Sequence, residues 1–299
     1  MQAEITRVIN APATSVAISP SGNFIAFTTA NGVYVDDGKP RRFVDMFANA
    51  VGLIRSVIAT VDGKWSVVCG VTDDGVAMYA TTSQVCVVGR DGKVRQLLGP
   101  TSGHRPYLCY NAQDHVLTVL CDTAITQFDT NSWAVLRTID LSEEIDHRGY
   151  VHCSADGDWI IAQSAGYIVV VGAGGFECML PAARRYRAVV GAGLLAGPWN
   201  TGVAKSTVTW LPSDGDPQVW EGAVRAWCPV AGEFRGTDES GALVTWTPDG
   251  TATVVDCAPS ARTSTFAAVE FSPSARRAAR FSPVNHNRNN RGIEVLGWR

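Results

Sequence analysis

The chain lacks most of what would commit it to chemistry or to a membrane. Its eight cysteines stand singly inside apolar runs, with no Cys-x-x-Cys pair. Zinc needs thiolates or imidazoles clustered at short spacing, so no metal centre is expected, and buried free thiols acting as small hydrophobes are. The five histidines are scattered. His147 and His152 lie close in sequence, but a site there lacks a further ligand. No Gly-x-x-x-x-Gly-Lys-Ser/Thr loop, His-Glu-x-x-His helix or Gly-x-Ser-x-Gly elbow occurs. Gly172-Ala-Gly-Gly175 joins two extended stretches instead of opening a helix, so it reads as a hairpin, and no cofactor is expected. No run reaches the roughly 18 apolar residues of a membrane span. The stretch 1–15, with Glu4 and no apolar centre, does not read as a signal peptide. Net charge is −3, against a chain built to coat nucleic acid. These absences lead to the expectation of a soluble protein inside the cell, in cytoplasm or nucleus, with no membrane partner. Lysine is scarce beside arginine, which reads as base composition.

What is present is repetition. The chain has 299 residues, 46% of them apolar and 18% charged, enough to bury a large core. One grammar recurs: apolar strand, small turn, second strand, turn, third strand, then Asp-Gly or an equivalent before a fourth. The opening shows it clearly in Ser15-Val-Ala-Ile-Ser-Pro-Ser-Gly-Asn-Phe-Ile-Ala-Phe27 and Asn31-Gly-Val-Tyr-Val-Asp36. Setting Gly22 over Gly63, Gln113, Gly157, Gly193, Gly232 and Ala275 brings Ile18, Ala59, Cys109, Cys153, Val189, Cys228 and Phe271 into one apolar column. The spacings bracket the roughly 40 to 45 residues of a propeller blade. Third strands line up at Gly32–Asp36, Gln84–Val88, Ala124–Phe128, Tyr167–Val171, Thr207–Leu211, Ala242–Trp246 and Gly292–Leu296. Arg90-Asp-Gly92, Ser213-Asp-Gly215 and Pro248-Asp-Gly250 supply hairpin turns. Fourth strands are expected at Arg41–Val44, Lys93–Leu98, Trp133–Ile139, Phe176–Leu180, Pro217–Trp220 and Thr251–Val255.

That leaves the seventh segment without a fourth strand and the amino end with a spare alternating one, Glu4 to Ile9. The expected fold is all-β: a seven-bladed β-propeller of four-stranded antiparallel blades, one domain over 1–299. Strand 4–9 would complete the last blade, 264–299, and leave no open edge. Gly191 to Pro198 is short for a second strand, so a count of six stays open.

The third segment carries Gly103-His104, Asp122 and, further on, Phe128-Asp129. In this it resembles WD-repeat propellers, with Phe128 where the family has tryptophan. The resemblance implies a structural hydrogen-bonded set in which His104, Thr118 and Asp122 take the loop, strand and turn roles. Trp210 and Trp246 also stand where the family tryptophan would, but Leu211 and Thr247 follow them instead of aspartate. The resemblance covers the whole length in architecture and one blade in motif. It further implies a non-catalytic scaffold for protein–protein interaction, a subunit of a larger complex.

In such propellers the connections from fourth to first strand and from second to third share one face. The longest expected there are 72–83, 197–206 and 283–291, with Asp73, Asp74, Met78, Tyr79, Trp199, Asn200, Asn287, Arg288 and Arg291 as partner-binding candidates. Arginines crowd 276–291, and Arg277 falls where other segments carry Phe24, Trp65 or Trp159. For Arg277 and Arg280 a packed surface role is favoured; for Arg288 and Arg291, binding. That cluster keeps open an RNA- or phosphopeptide-reading module. An enzyme with a site in the central channel is the third and least favoured reading.

Overall fold

The computed structural model describes residues 2–38, 41–45, 50–54, 57–60, 66–101, 106–141, 150–153, 160–163, 167–171, 177–181, 186–188, 193–196, 207–212, 218–221, 223–228, 231–238, 242–257, 269–272, 274–281 and 292–299. All their regular structure is β. The chain opens with β1 (Gln2–Ile9), then β2 (Ser15–Ile18), β3 (Ile25–Thr29) and β4 (Gly32–Asp36). The strands β5 (Arg41–Asp45) and β6 (Ala50–Ile54) pair with each other, and β7 (Val57–Thr60) adds to β4. The next sheet is β8 (Ser66–Val71), β9 (Ala77–Thr81), β10 (Val85–Val88) and β11 (Val94–Leu98). The third is β12 (Tyr107–Asn111), β13 (Val116–Cys121), β14 (Ala124–Asp129) and β15 (Val135–Asp140). The fourth is β16 (Tyr150–Cys153), β17 (Ile160–Gln163), β18 (Tyr167–Val171) and β19 (Glu177–Pro181). The fifth is β20 (Tyr186–Ala188), β21 (Gly193–Ala196), β22 (Thr207–Pro212) and β23 (Gln218–Glu221). A last, eight-stranded sheet holds β24 (Ala223–Cys228), β25 (Glu233–Thr237), β26 (Leu243–Trp246), β27 (Ala252–Cys257), β28 (Val269–Phe271), β29 (Arg277–Phe281), β30 (Ile293–Trp298) and β1.

Apart from β1 against β27, each sheet pairs antiparallel. β1 runs antiparallel to β30, from Ala3 opposite Trp298 to Ile9 opposite Ile293, and touches β27 in parallel at Gln2 and Ala3. It thus sews two four-stranded groups, β24–β27 and β28–β30 with β1, into one sheet.

Two expectations shift in the second repeat. Arg41–Val44 is not the fourth strand of the first sheet; it belongs to the separate hairpin β5–β6, and β7 takes that place. Ala59 therefore sits opposite Val33 in the first sheet and does not open the second, which starts at Ser66. The reason is physical: an inserted hairpin is itself two short apolar strands and a turn, so periodicity cannot tell it from the next blade strand. Ala59 is apolar in either role.

The sheets pack face to face. Ile9, Phe281, Ile293 and Val295 meet Ile18, Ile25 and Phe27. Val33 and Val35 meet Val68, Val71, Tyr79 and Val88; Met78, Val85 and Val87 meet Leu117, Val119 and Phe128. Leu120 and Ile125 meet Val151 and Ile160, and Leu243 and Val255 meet Val269, Leu296 and Trp298. With both faces covered, β3, β4, β9 and β10 are buried at every position instead of alternating. Each large aliphatic side chain so buried contributes about 1.5–3 kcal/mol of transfer free energy. Phe27 stacks on Tyr34 with centroids 5.3 Å apart.

Candidate interaction face

The turns that join first to second strands and third to fourth strands gather at one end of the sheets, and arginines lace them together. The turn 19–24 bends at Gly22, whose φ of 72° suits glycine, and a Cβ there would lie 2.5 Å from the Arg277 side chain. From β29, Arg277 donates to the Gly22 carbonyl at 3.1 Å and to Asn23 Oδ1 at 3.0 Å. The hydroxyls of Ser272 and Ser274 both donate to the Pro20 carbonyl. On the opposite side Ser21 gives its N–H and hydroxyl to Asp73 Oδ1, at 2.9 and 2.6 Å.

Other arginines repeat this device. Arg90 reaches Asp37 at 3.2 Å and lies 5.5 Å from the Phe24 ring centroid. Arg7 pairs with the fully buried Asp36 at 2.9 Å. Arg235, 1% exposed, donates to the carbonyls of Ser272 at 2.9 Å and Ala275 at 2.6 Å, pairs with Glu233 and lies over the Trp298 ring. A planar guanidinium presents several donors in a fixed fork, so it can hold two acceptors of a neighbouring turn at once with less loss of freedom than lysine. The arginine excess therefore has a structural use in this molecule.

The sequence candidates distribute unevenly. Asp73 and Asp74 are exposed in the turn between β8 and β9, at the opposite end of the sheet from the face expected for them. Asp73 is held by Ser21, and Asp74 accepts from the Thr72 hydroxyl. Met78 and Tyr79 are not in a loop. They belong to β9 and are 0% and 2% exposed, because the slip of one strand in this repeat turned a core strand into an apparent excursion. Trp199, Asn200, Asn287, Arg288, Arg291 and His104 lie outside the described residues. Arg277 packs its stem on Gly22, and Arg280 is 1% exposed with Nε and Nη2 on Glu294 Oε2 at 3.0 and 2.8 Å, so both serve the fold.

In the third sheet Thr118 is fully buried and accepts from Gln127 Nε2 at 3.0 Å, while Gln127 Oε1 accepts from Arg137. A polar ladder thus crosses β13, β14 and β15. Sequence reasoning missed Gln127 and Arg137, although both follow from facing positions in adjacent strands. Asp122 sits at φ 52°, and its Oδ1 is buried without a partner among the described residues.

Reactive groups are subdued here. Burial pushes the Cys121 thiol up to about 11 and the Tyr110 phenol up to about 12, and it also raises Cys69 and Cys86. Thiols so shifted stay protonated and are poor nucleophiles. Among the described residues, no group of three or more His, Cys, Asp or Glu is placed to hold a metal ion.

Comparison with solved structures gives the architecture its context. The chain superposes on the WD40 β-propeller domain of Doa1 with a TM-score of 0.62, at 12% identity, over 99% of this chain and 97% of that one. The fold is that of a WD40-type propeller. It is also similar to a chain of the mitotic checkpoint complex, at TM-score 0.60 and 16% identity over 97% of this chain and 91% of that one. A third likeness is the Pan2 WD40 domain of Neurospora crassa, at 0.56 and 14% over 96% and 89%. At these identities the likeness speaks for the propeller fold alone. No protein-family model matches the sequence, and no curated protein matches it significantly.

Proposed function

We propose that this propeller is a closed ring of seven four-stranded blades, a single domain over 1–299, acting as a non-catalytic docking platform within an intracellular protein complex. The ring reading is supported by the succession of sheet-to-sheet cores and by β1, which supplies the outer strand for β28–β30. The docking reading rests on one observation: the turn face is tied across four successive strand groups, β24–β27, β28–β30, β2–β4 and β8–β11, by arginine and serine contacts. Such a face is preorganised, which lowers the ordering cost of holding a partner. The mitotic checkpoint structure, a multiprotein assembly by its name, favours protein partners for a ring of this kind. An intracellular setting suits the free thiols. The test is size-exclusion chromatography of the tagged chain isolated gently from its native cells. A stoichiometric assembly is expected; a lone monomer with no stable companion overturns the proposal.

A further inference from the structure

The outer edge of the third sheet carries a feature that the docking reading does not use. β15 is the terminal strand of its sheet, and among the described residues no strand pairs with its outer edge. Opposite Gln127 and Phe128 the register shifts, so Leu136 is skipped in the pairing. A bulge of this kind re-aims side chains. Val135 and Leu136 consequently stand 57% and 53% exposed, the one place among the described residues where two consecutive large aliphatic side chains face water.

The turn that delivers them is rigid. Asp129 Oδ1 accepts from the N–H groups of Asn131 and Ser132, at 2.9 and 2.7 Å, and from the Ser132 hydroxyl at 3.0 Å. Trp133 is held at φ 59°, a conformation bulky side chains avoid, while its ring packs with the core between the second and third sheets. Arg95 of β11 donates to the Trp133 carbonyl at 3.4 Å. Strain maintained by such surroundings is a mark of functional positions.

Cations gather where this edge begins, beside Val135 and Leu136, while the carboxylate of Asp140 stands exposed at its far end. Arg95 is exposed beside the edge, and Lys93, in the turn just before β11, has a side chain 87% exposed. Its exposed pair with Asp91 offers little competition to another anion. The nearby carboxylate, Asp129, is spent on its own turn.

We propose that the edge of β15, with Val135 and Leu136 as apolar anchors and Arg95 and Lys93 as flanking cations, receives an extended acidic–aliphatic segment of a partner protein by strand addition. Main-chain hydrogen bonds to a free edge give affinity, and alternate side chains give specificity. The inference rests on the docking reading and names a surface and a partner chemistry for it.

The test uses the full chain and a labelled synthetic peptide alternating valine and glutamate, read by fluorescence anisotropy, beside the same peptide with lysine for glutamate. The acidic peptide is expected to bind about tenfold or more tightly than the lysine form. Leu136→Glu should weaken it about tenfold or more. Val219→Glu, at a valine 62% exposed on the outer strand β23, should leave it unchanged. Equal binding of the two peptides, or indifference to Leu136→Glu, overturns the site. So does sedimentation showing self-association that Leu136→Glu disperses, since a second copy would then be the occupant. If the native assembly forms but the acidic peptide does not bind, the edge is wrong and the platform reading stands. If the peptide binds as described but no assembly exists, the reverse holds.

Discussion

The third sheet and the last one solve the same problem in opposite ways. The third, apart from the Arg95 bond to its Trp133 carbonyl, keeps its side-chain bonds at home: Thr118, Gln127 and Arg137 form a ladder across its own strands, and Asp129 caps its own turn. The last sheet borrows. Within it the group β28–β30 receives Arg235 from β25 and an outer strand from the amino end of the chain, lends Arg277 to the first sheet, and contains a buried ion pair, Arg280–Glu294, with side chains 1% and 6% exposed. The difference teaches where loss of one group is absorbed locally and where it spreads across a seam.

The sharpest way to break the comparison is at the ion pair. Arg280→Met leaves the Glu294 carboxylate buried beside a thioether and should cost about 3–5 kcal/mol, read as a lower urea midpoint. The double change Arg280→Met/Glu294→Leu should recover most of that, because two apolar groups avoid the desolvation of two ions. A double variant as unstable as the single one would show that the pair itself is required. In the third sheet Gln127→Leu should cost less, about 1–2 kcal/mol, since it removes one bond to the buried Thr118 hydroxyl and one from Arg137 but leaves no buried charge. The smallest effect concerns Asp129, whose carboxyl is held below the usual range by the Ser132 N–H, then the Ser132 hydroxyl. The folded state binds this proton less tightly than the unfolded chain. Its contribution is therefore present above the ordinary carboxylate value, about pH 4, and fades as pH falls through the lower folded value. Asp129→Asn should melt below the parent near neutrality, and the gap in Tm should close in acid.

Much of the architecture was legible. The expected third strands fall where β4, β10, β14, β18, β22, β26 and β30 stand, within a residue or two, because each is a short apolar run ended by a turn. Gly92 and Gly250 do adopt the positive φ that their Asp-Gly turns implied. Only the first two strands of the second repeat slipped, because the hairpin β5–β6 imitates blade strands, and Met78 and Tyr79 were carried with them. The seam contacts were not legible. Arg277 stands out in its column, but that its fork would close on Gly22 and Asn23 depends on a neighbour some 250 residues away in the chain. Arg235 carries no local signal of its reach to Ser272 and Ala275.

The partnership of β1 with β30 also bears on how the molecule is made. β1 leaves the ribosome well before its antiparallel mate, which exists only when residues 293–298 have emerged. Until then Ile5 and Val8 belong to an unpaired strand open to chaperones or to other nascent chains. With so large a separation between the joined strands, this contact is expected to close after the intervening sheets have formed, and such non-local closure slows folding.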